Sequence, residues 1–322
     1  MRKLLVVIAM ATAVQGCASA NAQNFPARPI TMIVPFAAGG PTDRIGRIVA
    51  EGMRPVLGQP IVIEDVTGAS GTIGVGRAVR AAPDGYTLSV GQWATHVLNG
   101  AVFALPYNVL DDFEPIALLT SNPQLIVANN AVPAKDLKEL IAWLKANPGK
   151  ASQGTAGAGT RVSGAFFQSL SGTSFTFVPY RGSAPAMQDL MGGRIDFVAE
   201  QISTALPQIQ SNTVKAIATL GLERAPGLEQ LPTAQEQGLP GLDCGSWSSL
   251  SFPKGTPDEI VRHLAKAVNE AVETPATRER FKGIGVTIPP PERRTPEYLA
   301  KFVPSEIERW AAPIKASGAS EE

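Results

Sequence analysis

Hydrophobic positions along the chain form short β-type runs that alternate with stretches of helical period, a pattern that predicts an α/β protein with largely parallel sheets. A β-rich run over residues 30–34 breaks at Pro35. Gly39-Gly40-Pro41 follows, and then Ile45, Ile48, Val49 and Met53 recur on one helical face. Strands are predicted over 60–64 and 87–91, with a helix over 71–80 between them. The same order starts again near Leu125. A strand over 125–128 precedes a helix over 136–147 with Leu137, Leu140, Ile141 and Leu144 on one face. A short strand over 151–153 then runs into the glycine-rich segment 154–160, and a helix through Val162, Phe166 and Leu170 follows. Strands over 176–180, 195–199 and 215–220 alternate with helices over 184–191 and 202–209, and three further helices are predicted over 257–273, 276–282 and 296–315.

No Gly/Ser-rich tether separates the halves, so the boundary near residue 125 reads as a strand crossover and the chain returns near 246–252. The predicted organisation is two lobes with a cleft between them. Residues 23–124 with 249–322 form the first lobe and 125–248 the second. A length of 322 residues suits two domains, and 44% hydrophobic residues suffice for sizeable cores. With 28 basic and 28 acidic residues the net charge is zero, which excludes an electrostatic nucleic-acid binder. Two His and two Cys leave little material for a zinc cluster or a disulfide framework.

Residues 1–22 read as a secretory signal peptide. Arg2 and Lys3 precede an apolar run from Leu4 to Val14, and Ala20-Asn21-Ala22 fits the cleavage pattern. The run is too short to span a bilayer, which takes roughly 20 residues. Gly16-Cys17 offers a second reading, a lipidated N-terminus. Removing 1–22 takes away Arg2 and Lys3 and leaves a net charge of −2. Cys244 is then the only thiol, read as a core residue because no His lies near it in sequence.

Two loops carry the functional signal. Pro35 to Asp43 and Gly154 to Ser163 each join a predicted strand to a predicted helix, in opposite lobes. Ligands of open α/β sheets bind at the carboxyl ends of strands, where glycines admit close approach and helix N-termini favour anions. Each loop alone could be an ordinary turn capped by Thr42 or Thr160. Together, in matching positions, they point to a pincer around a carboxylate. Neither fits a nucleotide motif: the P-loop Gly-Lys-Ser/Thr is absent, and Val162 breaks a G-x-G-x-x-G.

Gln92 and Trp93 follow a strand end that faces the same cleft. His96 reads as a surface or capping residue, His263 as a surface residue, and Asp43 as either a helix-dipole partner or a contact to ligand water. Arg161 and Arg181 are each open to two readings, a partner for a distal carboxylate or a structural arginine. Glu200 could hold a polar ligand group or a water. An exported hydrolase is the rival class. Ser70, Ser163 and Ser203 are present, but there is no G-x-S-x-G elbow and only His96 and His263 could serve a triad.

An ordered series of motifs resembles the Bug family, the periplasmic solute-binding receptors of tripartite tricarboxylate transporters. It runs from Phe25-Pro26-Ala27-Arg28-Pro29-Ile30 through PFAAGGPTD at 35–43, GASGTIG at 68–74, PDGYTL at 83–88 and GTAGAGT at 154–160. VPYRGSAPAMQDLMGGRIDF at 178–197, LPTAQEQGLPG at 231–241 and PKGTP at 253–257 complete it. The resemblance implies a type II-like periplasmic-binding-protein fold, a Venus flytrap without catalysis or cofactor, that passes a small carboxylate to membrane permease subunits. A dicarboxylate, a tricarboxylate or an aromatic acid would all qualify, and the receptor is expected to be a monomer. It implies ligand contacts at Phe36, Ala38, Gly39, Pro41, Thr42 and Asp43 and at Thr155, Ala156, Gly159 and Thr160. Ser163, where many relatives have His, and Glu200, where Asp is commoner, depart from the family pattern near the far side of the pocket.

Overall fold

Residues 25–317 are described by a computed structural model; the segment 1–22, with Cys17 and Ala20-Asn21-Ala22, lies outside them. The first half begins with β1 (Ile30–Val34), α1 (Pro41–Leu57), β2 (Ile61–Asp65), α2 (Thr72–Val79) and β3 (Thr87–Gln92). β1 pairs in parallel with both β2 and β3. α1 turns Ile45, Val49 and Met53 onto this sheet, all fully buried, each worth roughly 1.5–3 kcal/mol of burial. Gly46 brings the helix close: a Cβ there would meet Met32 Sδ at 3.3 Å and Val34 Cγ2 at 3.4 Å. Gly58, left-handed at φ 66°, ends α1 and donates its N–H to Arg54 O.

After β3 the chain makes a π-helical turn (Ala94–Leu98) and a short helix α3 (Asn99–Val102). It then enters β4 (Phe113–Ala128), a 16-residue strand of which the predicted strand over 125–128 is only the end. The second half follows with α4 (Leu137–Ala146), β5 (Ser152–Thr155), α5 (Ala158–Ser171), β6 (Thr176–Pro179), α6 (Ser183–Met191), β7 (Phe197–Gln201), α7 (Ile202–Gln210) and β8 (Lys215–Thr219). β9 (Gly245–Pro253), α8 (Asp258–Glu273), α9 (Pro275–Gly283) and α10 (Pro296–Ser317) complete the described chain.

The main strand order is β2-β1-β3-β9-β4-β7-β5-β6, with β8 also on β4. β4 connects the two halves. From Phe113 to Pro123 it pairs antiparallel with β9, and from Gln124 to Ala128 it lies between β7 and β8. The change of partner falls at Pro123, which has no N–H to offer a ladder. Register shifts between Pro115 and Ala117 and between Leu118 and Thr120 bend the strand on its way across.

Of the two larger hydrophobic clusters, one gathers Met32, Val49, Met53, Leu264 and Val268 around the first sheet. The other holds Leu140, Phe167, Phe175 and Phe197 of the second half and also Trp93, Val97 and Leu98. α10 joins this second core through Leu299, Val303, Trp310 and Ile314, although it follows the helices of the first half in sequence. Among the described residues no helix is long and apolar enough to cross a membrane.

Candidate functional site

The β1–α1 and β5–α5 loops face each other. Gly157 is so placed that a Cβ would lie 3.8 Å from Phe36 Cε1 and 3.8 Å from Ser70 Oγ. A Cβ on Gly182, at the start of α6, would lie 3.2 Å from Ala37 Cβ. The halves therefore approach each other closely at the mouth and enclose an inner chamber of about 40 Å³, more than the roughly 10–15 Å³ needed to admit one water.

Three helix N-termini meet there. α1 starts from Gly40, α5 from Gly157 and α6 from Gly182, and none has a side-chain cap. Glycine at each N-cap leaves the first-turn N–H groups without an internal acceptor, and the helix dipoles add to their pull on an anion. The chamber walls carry no charged side chain; the polar groups are Thr42, Gln92, Gln124, Thr160, Ser183 and Gln201. Gln201 Nε2 donates to Gln92 Oε1 at 3.3 Å, and Asn122 Nδ2 donates to Gln201 Oε1 and, at 3.0 Å, to Ser203 Oγ. This amide chain joins β3, β4 and β7 at the back of the cleft.

Of the residues expected at the site, Phe36, Pro41, Thr42, Gln92, Trp93, Ala156, Gly159 and Thr160 line the inner chamber. Ala38 and Gly39 are exposed at the loop tip. The others stand behind it. Asp43 Oδ2 accepts from Gly39 N–H at 2.7 Å, and Oδ1 lies 2.6 Å from Arg47 Nε, so its carboxylate is spent on the loop. The Thr160 hydroxyl is likewise engaged, accepting from Ala156 N–H at 2.6 Å and donating to Gly157 O at 3.0 Å. Thr155 is buried beneath the loop, and Ser163 Oγ donates to Gly159 O at 2.8 Å. Gln153, below them, donates to Thr160 O at 3.0 Å. Glu200 is buried behind Ser183 and accepts from Gln201 N–H at 2.9 Å; burial pushes its carboxyl up to about 7.

The structure corrects the reading of His96. It is buried rather than superficial, bonded through Nδ1 to Thr95 Oγ1 at 3.0 Å and stacked on Phe113. Burial pulls its imidazole down to about 4, so it is neutral at pH 7. The π-helical turn carries it inward. Cys244 is a fully buried thiol, pushed up to about 12 by burial, and His263 is exposed. Gln124, Gly182, Ser183 and Gln201 are lining residues that the sequence reading missed. The Gly182-Ser183 helix start was visible as a third strand–glycine–helix junction.

A second, outer chamber of about 460 Å³ meets the inner one at Phe36, Ala156 and Gly157. One wall is Gly68-Ala69-Ser70-Gly71, where four successive residues have positive φ (124°, 43°, 51° and 92°). Left-handed Ala69 and Ser70 cost of order 1 kcal/mol each or more. The buried side chain of Asn99 fixes this wall by donating to Ser70 O at 3.0 Å. Tyr180 and Arg181 form the opposite wall. The two arginines separate here: Arg161 lies over the Phe177 ring at 3.8 Å, whereas Arg181 faces this chamber.

A family model described as tripartite tricarboxylate transporter family receptor matches residues 45–319. Protein BugT of Bordetella pertussis is 35% identical over 99% of this chain and 98% of its own length. MatC (Rpa3494) of Rhodopseudomonas palustris, with bound malate, is 40% identical over 90% of this chain and 100% of its own, with a TM-score of 0.86. R. palustris Rpa4515, with adipate, is 29% identical over 92% of this chain and 99% of its own, with a TM-score of 0.87. These relatives are receptors, which removes the hydrolase reading, and their fold is that of periplasmic binding proteins. The chain belongs to the tripartite tricarboxylate transporter receptor family, as a solute-binding receptor and not an enzyme.

Proposed function

We propose that the cleft captures a small organic carboxylate and that the loaded receptor delivers it to the membrane permease subunits of a tripartite transporter. The observation that carries the reading is the convergence of three uncapped helix N-termini, from both halves, on one chamber without a charged wall. Unsatisfied N–H groups of this kind call for an anion, and a carboxylate gives them four lone-pair sites. Because the donors come from both halves, a ligand that touches both favours the closed arrangement over the open one. The malate and adipate complexes of the two relatives agree with this chemistry. On this reading the lobes are 23–124 with 249–322 and 125–248, the protein works as an exported monomer without a cofactor, and the ligand contacts are the eight chamber residues with Ala38 and Gly39.

Calorimetric titration with malate and adipate tests it, alongside the matching diamides. The acids should bind and the diamides should fail, because an NH₂ cannot accept from the loop N–H groups. Equal binding of acid and diamide would refute a carboxylate site.

A further inference from the structure

We infer that Glu200 is a proton site coupled to the ligand site, so that the receptor takes up one proton at this carboxyl as it captures an acid. The inference rests on the carboxylate reading of the inner chamber. Glu200 is the next-to-last residue of β7 and is 1% exposed. The groups that hold it belong to chamber residues. It accepts from the Gln201 N–H at 2.9 Å, and the Ser183 hydroxyl favours its charged form. Ser183 is also the first residue of α6, whose start has no side-chain cap and opens on the chamber. Glu200 and a captured acid therefore draw on the same helix end.

Two carboxylates in one water-poor space repel, and the arrival of the second favours the protonated form of the first. Among the described residues, Arg44 of α1 is the cation that acts on Glu200, and its Nε is bound to Gly39 O at 3.1 Å. Also on α1, Asp43 and Arg47 pair with each other; on α6, Asp189 is bound by Tyr180 and Arg194. β5 and α7 carry no charged residue, and β4 sets Leu125 opposite Glu200. Burial already holds the carboxyl up to about 7, so a modest push from the ligand suffices to protonate it near neutral pH. The protonated acid also gains a hydrogen to donate. Ser183 Oγ can accept it and turn its own hydrogen to an acid oxygen in the chamber. The proton comes from solvent and stays on Glu200; no bond of the ligand changes.

The test is calorimetric titration with malate and adipate at pH 6 and pH 8, each in two buffers of different ionisation enthalpy, on wild type and on Glu200→Gln. Ordinary carboxyls are largely ionised at both pH values, so the acids themselves contribute little to any proton uptake. In wild type the bound acid should be held about tenfold more weakly at pH 8, where about nine-tenths of free Glu200 is charged, and close to one proton should enter with it. Glu200→Gln keeps an acceptor for the Gln201 N–H and carries no charge. It should bind equally at the two pH values, with no proton uptake at pH 8. Equal wild-type affinity at the two pH values, or the same slope and uptake in the variant, overturns the inference and leaves the carboxylate site standing. If neither acid binds either protein, the carboxylate reading itself has failed, and the inference with it.

Discussion

Replacing Glu200 with Gln should stabilise the unliganded protein in alkali and leave it unchanged in mild acid. The side chain is 1% exposed, and burial is what pushes the carboxyl up to about 7; bonds from Ser183 and the Gln201 N–H, and the charge of Arg44, pull it down without prevailing. In the unfolded chain the group titrates near 4.5. Between those values the folded state keeps a proton that the unfolded state has released. The contribution is therefore fully present below about 4.5 and is lost as pH rises through about 7. Two to three pK units at about 1.36 kcal/mol each set a ceiling of about 3 kcal/mol at pH 8. Gln keeps an acceptor for the Gln201 N–H and has no charge to bury. At roughly 2 °C per kcal/mol for a chain of this size, the variant should melt about 5 °C above wild type at pH 8 and level with it at pH 4. Thermal unfolding at the two pH values decides the matter. A wild type as stable as the variant at pH 8, or more so, would show that pairing outweighs burial and would refute the reasoning.

Four further outcomes are expected. Thr160→Val removes the hydroxyl that clips Ala156 to Gly157, and should cost about 1–2 kcal/mol in chemical denaturation and weaken carboxylate binding by about tenfold. Gly164→Ala places a Cβ 2.2 Å from Gln153 Oε1; the displaced Gln153 can no longer hold Thr160 O, so both melting temperature and affinity should fall. His96, held down to about 4 against an ordinary 6.5, supports stability above 6.5 that is lost as pH falls through about 4; His96→Gln should flatten that acid limb while leaving the alkaline one alone. Intact-mass analysis of the exported protein should place the mature N-terminus near Gln23, and a diacylated Cys17 would replace that reading with a tethered receptor.

The parts of the site that proved legible in the sequence are those set by local rules. A β-run followed by glycines and a helical period marked both pincer loops, because the need for close approach and for an open helix start is written into neighbouring residues. The path of β4 was legible only at its end. Pro115, Ser121, Asn122 and Pro123 interrupt its β pattern, and the strand persists across them because β9 pairs with it over that stretch. Gln124 and Gln201 gave no signal, since their roles arise only when β3, β4 and β7 meet. His96 was misplaced because a π-helical turn shifts the facing of its residues relative to an α-helix. The hydroxyl of Thr160 looks like a ligand donor in the sequence; its loop engages it first.

A trap built from helix ends has a particular reach. The inner chamber attracts through N–H groups whose influence fades within a turn, and the chain carries a net charge of zero, or −2 without residues 1–22. With so little net charge to steer an acid inward, the rate of encounter should change little between dilute and saline media. Discrimination then begins only once a solute is already between the halves. It is exercised in how long the solute stays, not in how often it arrives.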